Sequence, residues 1–143
     1  MTTAIDTNIF VALWDEDEPR NPTVRPALDA ALGRGSLVVA APVFSELLAF
    51  PSRSEVFLDQ FFRETGIFVD WNLSEAVWRT AGLAYQAYAV RRKKHRDPGP
   101  RRILADLLIG AHALRNGFPL LTLDDRVFLA AFPHLSVVNT QTS

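Results

Sequence analysis

Short continuous runs of apolar and β-branched residues recur along the chain, and each is bounded by glycine, proline or polar residues. Such runs predict buried strands. They lie at residues 3–6, 36–41, 67–71, 119–123 and 135–139. No internal repeat and no linker separates these segments, so we expect a single domain over residues 1–143.

Between these runs, apolar residues recur every three or four positions, which predicts amphipathic helices. Helices are predicted at residues 9–14, around 27–32, from Pro42 onward, and from about 55 to 62. Further along, a helix runs from Ser74 into a basic segment, another covers residues 103–116, and a turn or short helix covers 124–132. Ser52 and Glu55 have the spacing of a capping box for the fourth helix. Gly66 and Gly117 are placed to end helices.

Alternation of strands with helices predicts an α/β domain with a mainly parallel sheet that is covered by helices on both faces. In this class, ligands bind beyond the carboxyl ends of the strands. Polar residues that directly follow a predicted strand are therefore the first candidates for a functional site.

Composition excludes several classes of protein. The chain has 143 residues, is 48% hydrophobic and contains no cysteine, which excludes a disulfide scaffold, a thiolate zinc site and a cysteine nucleophile. No apolar run approaches the roughly 20 residues that span a bilayer. We expect a soluble, cytoplasmic protein that does not enter a membrane.

Charge is unevenly distributed, although the net charge is only −1. Asp15–Glu18 form an acidic block, which is typical of a solvated loop. Seven of the fifteen basic residues fall within twelve positions: Arg91, Arg92, Lys93, Lys94, Arg96, Arg101 and Arg102. Clustered cations can contact the phosphates of RNA, and they also occur at solvated helix ends. The sequence leaves both interpretations open.

Four acidic residues occupy positions of chemical interest. Asp6 closes the first predicted strand, Glu46 lies on the helix after the second, and Asp124 ends the fourth, with Asp125 beside it as a rival. Each has an ordinary alternative: a helix cap for Asp6, an exposed position for Glu46, a turn for Asp124. Thr122 and Asp124 share a face at the two-residue strand period, which favours Asp124 over Asp125.

Asp106 is the most informative acid because its helix, residues 103–111, is apolar on nearly all sides. A carboxylate buried there without a partner costs several kcal/mol or loses its charge. Gly110 and Ala113 fall on its face and predict open space above it. An internal salt bridge to an arginine is the alternative to a metal or catalytic role.

Carboxylates that meet in one pocket repel each other and raise their own pKa values, and a divalent cation relieves that repulsion. A set of oxygen ligands favours Mg²⁺ or Mn²⁺ over zinc, and such ions commonly serve phosphoryl chemistry. Asn8 and Thr122 are auxiliary candidates: Asn8 to orient a carboxylate or phosphate, Thr122 to hold a water.

Four segments, in order and spacing, resemble the PIN domain, and most closely the VapC-type toxins of toxin–antitoxin pairs. They are Ile5-Asp6-Thr7-Asn8, Ser45-Glu46, Ala105-Asp106-Leu107-Leu108-Ile109-Gly110-Ala111 and Leu121-Thr122-Leu123-Asp124. The resemblance implies an α/β/α sandwich and a Mg²⁺- or Mn²⁺-dependent endoribonuclease. In such toxins the acids at the positions of Asp6, Glu46, Asp106 and Asp124 bind metal and position water.

The resemblance also implies a homodimer, inhibition by a VapB-type antitoxin, and cleavage of a structured RNA that stops translation. Two other functions stay open. One is a non-catalytic RNA- or partner-binding module. The other is a phosphatase with Asp6 as nucleophile, although such enzymes usually have a second aspartate where this chain has Asn8.

Two further predictions concern residues away from the acids. His112 lies six positions after Asp106 and off its face, so we expect it at the helix surface or in an interface. Phe57, Leu58, Phe61 and Phe62 form a strongly apolar helix, which fits either core packing or a groove for a dimer or antitoxin partner.

Overall fold

A computed structural model describes residues 1–95 and 103–140. Within them, strands and helices alternate as the sequence predicts. The strands are β1 (Thr2–Ile5), β2 (Ser36–Ala40), β3 (Phe68–Asp70), β4 (Leu120–Thr122) and β5 (Val137–Asn139). The helices are α1 (Thr7–Leu13), α2 (Asn21–Arg34), α3 (Ala41–Leu48), α4 (Glu55–Thr65), α5 (Glu75–His95), α6 (Leu104–Asn116) and α7 (Arg126–Ala131).

The strands form one sheet in the order β3-β2-β1-β4-β5, and every pairing is parallel. Ala4 of β1 pairs with Val38 of β2 on one side and with Leu120 of β4 on the other. The chain therefore builds outward from β1 to β3 and then returns to add β4 and β5 on the opposite side. The switch of direction lies between β1 and β4, which is where ligands bind in sheets of this type.

The helices form two layers, one on each face of the sheet. Right-handed crossovers put the helices of the β1–β3 half on one face and the later helices on the other. In agreement, α1 contacts α2 and α3, whereas α5, α6 and α7 contact one another. The expected three-layer α/β/α sandwich with a parallel sheet is confirmed.

The middle of α6 is buried over its whole circumference, because Leu107 to Ala113 face the sheet, α5 and α7. Gly110 makes the contact with α7 possible: a Cβ atom there would lie 2.5 Å from the ring of Phe132. The prediction that Gly110 opens space above Asp106 is therefore wrong, since that space is filled by an aromatic side chain.

Helix ends mostly follow the predicted caps, with one exception. Ser74 Oγ accepts a hydrogen bond from the Val77 amide at 3.3 Å. Gly66 and Gly117 end α4 and α6 with positive φ, as expected. The cap of α4 is Ser54, whose Oγ accepts from the Phe57 amide at 3.1 Å, and not Ser52, which adopts a φ of 67°.

The apolar residues of α4 pack mainly into the core. Leu58 and Phe62 are buried, and the half-buried rings of Phe57 and Phe61 lie against Trp14, with centroids 5.4 and 5.1 Å away. This arrangement favours core packing over a free groove. Among the described residues, no helix combines the length and the apolar character needed to cross a membrane.

Candidate active site

Three of the four acids predicted from the sequence share one open cleft at the carboxyl edge of the sheet. Asp6 directly follows β1, Glu46 lies on α3, and Asp106 lies in the first turn of α6. The cleft has a volume of about 760 Å³, and all three residues line it. The fold therefore brings together residues that are up to one hundred positions apart in the chain.

The side chain of Asp6 is buried, with only 4% of the residue exposed, and both of its carboxylate oxygens accept hydrogen bonds. Oδ1 accepts from the Thr7 amide at 2.7 Å, and Oδ2 accepts from Thr122 Oγ1 at 2.8 Å. Asp6 is thus the N-cap of α1, and it also lines the cleft. Burial raises the pKa of Asp6 to about 7, and the charges of Asp106 and Glu46 add to this effect, while the two hydrogen bonds oppose it.

Asp106 is half-buried and also carries a perturbed pKa. Burial and, to a smaller extent, the negative charges of Glu46 and Asp124 together raise the pKa of Asp106 to about 6. Among residues 1–95 and 103–140, no lysine or arginine forms an ion pair with Asp106. The alternative of an internal salt bridge therefore has no partner in the part of the chain that the structure describes.

Thr7 belongs to the site, and sequence reasoning missed it. Its amide donates to Asp6, and its Oγ1 donates to Glu46 Oε1 at 2.6 Å. One residue therefore orients two of the three carboxylates. The hint in the sequence is that a hydroxyl residue follows Asp6 directly, but its contact with Glu46 spans 39 positions and depends on the fold.

The auxiliary candidates Asn8 and Thr122 form a network behind Asp6. Asn8 Nδ2 donates to Thr122 Oγ1 at 3.2 Å, and Asn8 Oδ1 accepts from the Leu123 amide at 3.2 Å. These bonds join α1 to the end of β4. In this arrangement the Thr122 hydroxyl donates to Asp6, so its role here is to hold that carboxylate in place.

Asp124 lies at the rim and is not among the residues that line the cleft. Its carboxylate forms an ion pair with Arg126, Nη2 to Oδ2, at 2.9 Å, and this partner lowers the pKa of Asp124. Its charge still reaches Asp106, whose pKa it raises. The neighbouring Asp125 precedes α7 and makes no side-chain capping bond there.

The oxygen donors of the cleft suit a hard divalent cation. Among the described residues, no three carboxylate or histidine side chains converge closely enough to enclose an ion on their own. Mg²⁺ commonly binds through one or two carboxylates and keeps several waters, so a wide cleft with two or three carboxylates meets its needs. Asp6, Glu46 and Asp106 are the residues that would hold it.

Part of the basic block lies near this rim. Arg91, Arg92, Lys93 and Lys94 occupy the last turns of α5, and Arg91 lines a small cavity together with Arg126, the ion-pair partner of Asp124. The predicted contacts of Arg96, Arg101 and Arg102 lie outside the described residues.

His112 is not at the helix surface, so that prediction is wrong. The side chain is 1% exposed, and its Nε2 lies 2.9 Å from Oδ2 of Asp70 at the end of β3. The ring also packs edge-on against Phe118. His112 therefore joins α6 to the edge strand of the sheet.

Comparison with known proteins supports one family. The model of the PIN domain matches residues 3–133, whereas no curated protein matches. Among solved structures, the chain is 23% identical to a chain of VapBC-1 from nontypeable Haemophilus influenzae, with a TM-score of 0.65 and coverage of 99% of both chains. It is 21% identical to a chain of FitAcB from Neisseria gonorrhoeae, with a TM-score of 0.65 and 100% of both chains covered.

A chain of VapBC2 from Rickettsia felis, bound to a promoter DNA fragment, is 19% identical, with a TM-score of 0.63 and coverage of 97% of this chain and 98% of that one. At these identities the structural likeness shows a shared fold. The family match extends over nearly the whole sequence. The chain therefore belongs to the PIN-domain family, whose members are in general nucleases.

Proposed function

We propose that this chain is a VapC-type toxin: a Mg²⁺- or Mn²⁺-dependent endoribonuclease that cleaves a structured RNA, stops translation and is inhibited by a VapB-type antitoxin. The observation that carries the proposal is the cleft in which Asp6, Glu46 and Asp106 meet without a described cation to neutralise them. Support for the partner comes from the structurally similar chains, which belong to complexes described as VapBC or FitAcB.

A divalent ion in this cleft would act as a Lewis acid on a phosphodiester and favour ionisation of water near neutral pH. The chain's own residues set the geometry. Thr7 and Thr122 hold both oxygens of Asp6, and Thr7 also holds Glu46. Asp106 accepts no such bond from the described residues, so its carboxylate is available to take a proton from an attacking water.

The basic end of α5 provides the second part of the proposal. Arg91 lines a small cavity together with Arg126, the partner of Asp124 at the rim, and Arg92, Lys93 and Lys94 follow it along α5. Cations at this place can pair with RNA phosphates and bring the backbone to the acids. Homodimerisation and a cytoplasmic location belong to the same proposal.

A phosphatase with Asp6 as nucleophile is less well supported. Such enzymes usually have a second aspartate two residues after the nucleophile, whereas this chain has Asn8 there, and its side chain is bonded to Thr122 and to the Leu123 amide. A non-catalytic binding module would require no cluster of uncompensated acids, and such a cluster is costly to maintain.

The test is to incubate the purified chain with total RNA, with Mg²⁺, with Mn²⁺ or with EDTA, and to sequence the new RNA ends. We expect defined ends that require the metal and disappear in Asp106→Asn. Asp59→Asn is the control, because Asp59 is an exposed carboxylate on α4 outside the cleft. RNA that is bound but left intact would contradict the proposed activity and favour the binding module.

A further inference from the structure

A second cleft adjoins the acidic one, and the function proposed above does not use it. Its volume is about 600 Å³, within the usual range for small-ligand sites, roughly 300–1,000 Å³. Glu46, Leu104 and Ala105 line both clefts. A nucleic acid with a phosphate at the acids would therefore place a neighbouring nucleotide in the second cleft.

Two tryptophans line this second cleft and are unusually exposed. Trp71 directly follows β3 and is 59% exposed, and Trp78 lies in the first turn of α5 and is 52% exposed. The indole is the largest apolar side chain, and two of them at one opening form an apolar surface that is suited to a flat partner.

Trp71 is held in place by its surroundings. Its ring packs on Phe44 with centroids 5.0 Å apart and an angle of 64° between the planes. The preceding residue, Asp70, accepts a hydrogen bond from the Asn72 amide at 3.2 Å and is bonded to the buried His112. The backbone on both sides of Trp71 is thus anchored, and little ordering is needed when a ligand binds.

The chemistry of the cleft selects the kind of ligand. Glu46 is the one charged residue among the described residues that line it, so a phosphate or an acidic peptide is disfavoured there. Asn72 and Ser45 add an amide and a hydroxyl to walls that are otherwise apolar. A neutral, flat group with hydrogen-bonding edges fits this combination, and an unpaired nucleobase is such a group.

We propose that the cleft between Trp71 and Trp78 binds an unpaired nucleobase of the nucleotide next to the scissile phosphate. This inference rests on the proposed function, because it assigns a subsite to the same substrate. Stacking of a base on an aromatic side chain contributes 1–3 kcal/mol, which corresponds to roughly a 5- to 150-fold change in affinity. The cleft would thereby favour single-stranded positions of a folded RNA as cleavage sites.

The experiment compares two probes in the cleavage-deficient Asp106→Asn background with Mg²⁺. One probe is an oligoadenylate, and the other is a ribose-phosphate oligomer of the same length without bases. We expect Trp71→Ala and Trp78→Ala each to weaken oligoadenylate binding at least about fivefold, and neither to change binding of the abasic oligomer. Trp71→Phe should recover part of the loss.

Phe68→Ala is the matched control, because Phe68 is an aromatic residue that is 64% exposed on β3 and does not line the cleft. The inference is overturned if the tryptophan variants bind oligoadenylate as tightly as Phe68→Ala does, or if they lose affinity for both oligomers equally. It is overturned as well if the Asp106→Asn protein with both tryptophans binds neither oligomer. It is also overturned if the variants lose affinity for an antitoxin while RNA binding is unchanged. Absence of RNA cleavage by the unaltered chain with Mg²⁺ would instead count against the proposed function.

Discussion

Two ionisable residues of α6, Asp106 and His112, lie six positions apart and have opposite surroundings. His112 is buried, and its Nε2 is bonded to Asp70, whereas its Nδ1 has no hydrogen-bond partner among the described residues. Asp106 faces the charges of Glu46 and Asp124 and has no described cation beside it. One helix thus carries a residue that is paired within the fold through one ring nitrogen and an acid that has no described cation beside it.

The difference shows how to separate structural from functional polar groups. A buried polar group costs free energy unless it is paired, so a paired one requires no further explanation. A group of mutually repelling carboxylates lowers the stability of the fold and is expected where a ligand compensates for it. We therefore expect substitution of a clustered acid to lower activity while the fold is retained, and substitution of the paired residue to lower stability.

The largest expected effect is on catalysis, from Asp106→Asn. Removing the carboxylate that we propose accepts a proton should lower RNA cleavage roughly 10²–10⁴-fold, while the fold is retained because no partner in the described structure is lost. The rate is measured with Mg²⁺ on a mapped RNA, and circular dichroism checks the fold. Cleavage at the unaltered rate would remove Asp106 from the site.

The second prediction concerns pH and Asp6 in the absence of metal. Its pKa is about 7 in the folded protein, above its ordinary value of 3.8, so the folded state keeps a proton that the unfolded state releases. Because of Asp6, the free energy of unfolding of the metal-free protein should therefore fall by about 4 kcal/mol as pH rises from about 4 to about 7.

Asp6→Asn should remove the part of this loss that is due to Asp6, leaving the part that is due to the raised pKa of Asp106, and should make the metal-free protein more stable than the unaltered chain near pH 7. Urea unfolding in EDTA at about pH 4.5 and about pH 7.5 measures the difference between the two proteins. An equal difference at both values of pH would contradict the assignment of the raised pKa to Asp6.

The third prediction tests the pair formed by His112 and Asp70. His112→Ala removes a buried ring and leaves Asp70 without its partner, so the free energy of unfolding should fall by about 2–3 kcal/mol. Asp70→Asn keeps an acceptor for His112 and should cost less than about 1 kcal/mol. The stabilisation by Mn²⁺ should be the same in both variants as in the unaltered chain, and a loss of that stabilisation would refute the separation of the two regions.

The smallest effect is expected at the rim. Asp124 is paired with Arg126 and does not line the cleft, so Asp124→Asn should lower cleavage only about tenfold. Asp125→Asn is the comparison, with an expected change of less than about twofold in the same assay. A larger loss from Asp125→Asn than from Asp124→Asn would reverse the choice between the two residues.

Much of the fold was predictable because each strand is a continuous apolar run with clear ends. The parallel arrangement then implied that residues just past β1 and β2, such as Asp6 and Glu46, point to one edge. Asp106 was identifiable because a lone acid in an apolar helix is expensive to bury. These signals are local or follow from topology.

What sequence reasoning missed depends on contacts between distant residues. The position of His112 on its helix predicts a place at the surface or in an interface, but Asp70, 42 positions away in the chain, forms a hydrogen bond with its ring. Gly110 faces Phe132 and not an open space. Ser54 and not Ser52 is the cap because α4 begins at Glu55, and Ser52 lies in the preceding turn with a φ of 67°, which the capping-box spacing does not reveal.

The central proposal is that the cleft lined by Asp6, Glu46 and Asp106 binds a divalent cation through one or two of these carboxylates. Anomalous diffraction from crystals soaked in Mn²⁺, with Asp106→Asn crystals as the comparison, tests it most directly. The account predicts a peak within coordination distance of Asp6 or Asp106 oxygens in the unaltered protein and its loss or marked weakening in the variant. A protein that diffracts well and shows no peak in this cleft, or the same peak in both crystals, would contradict it.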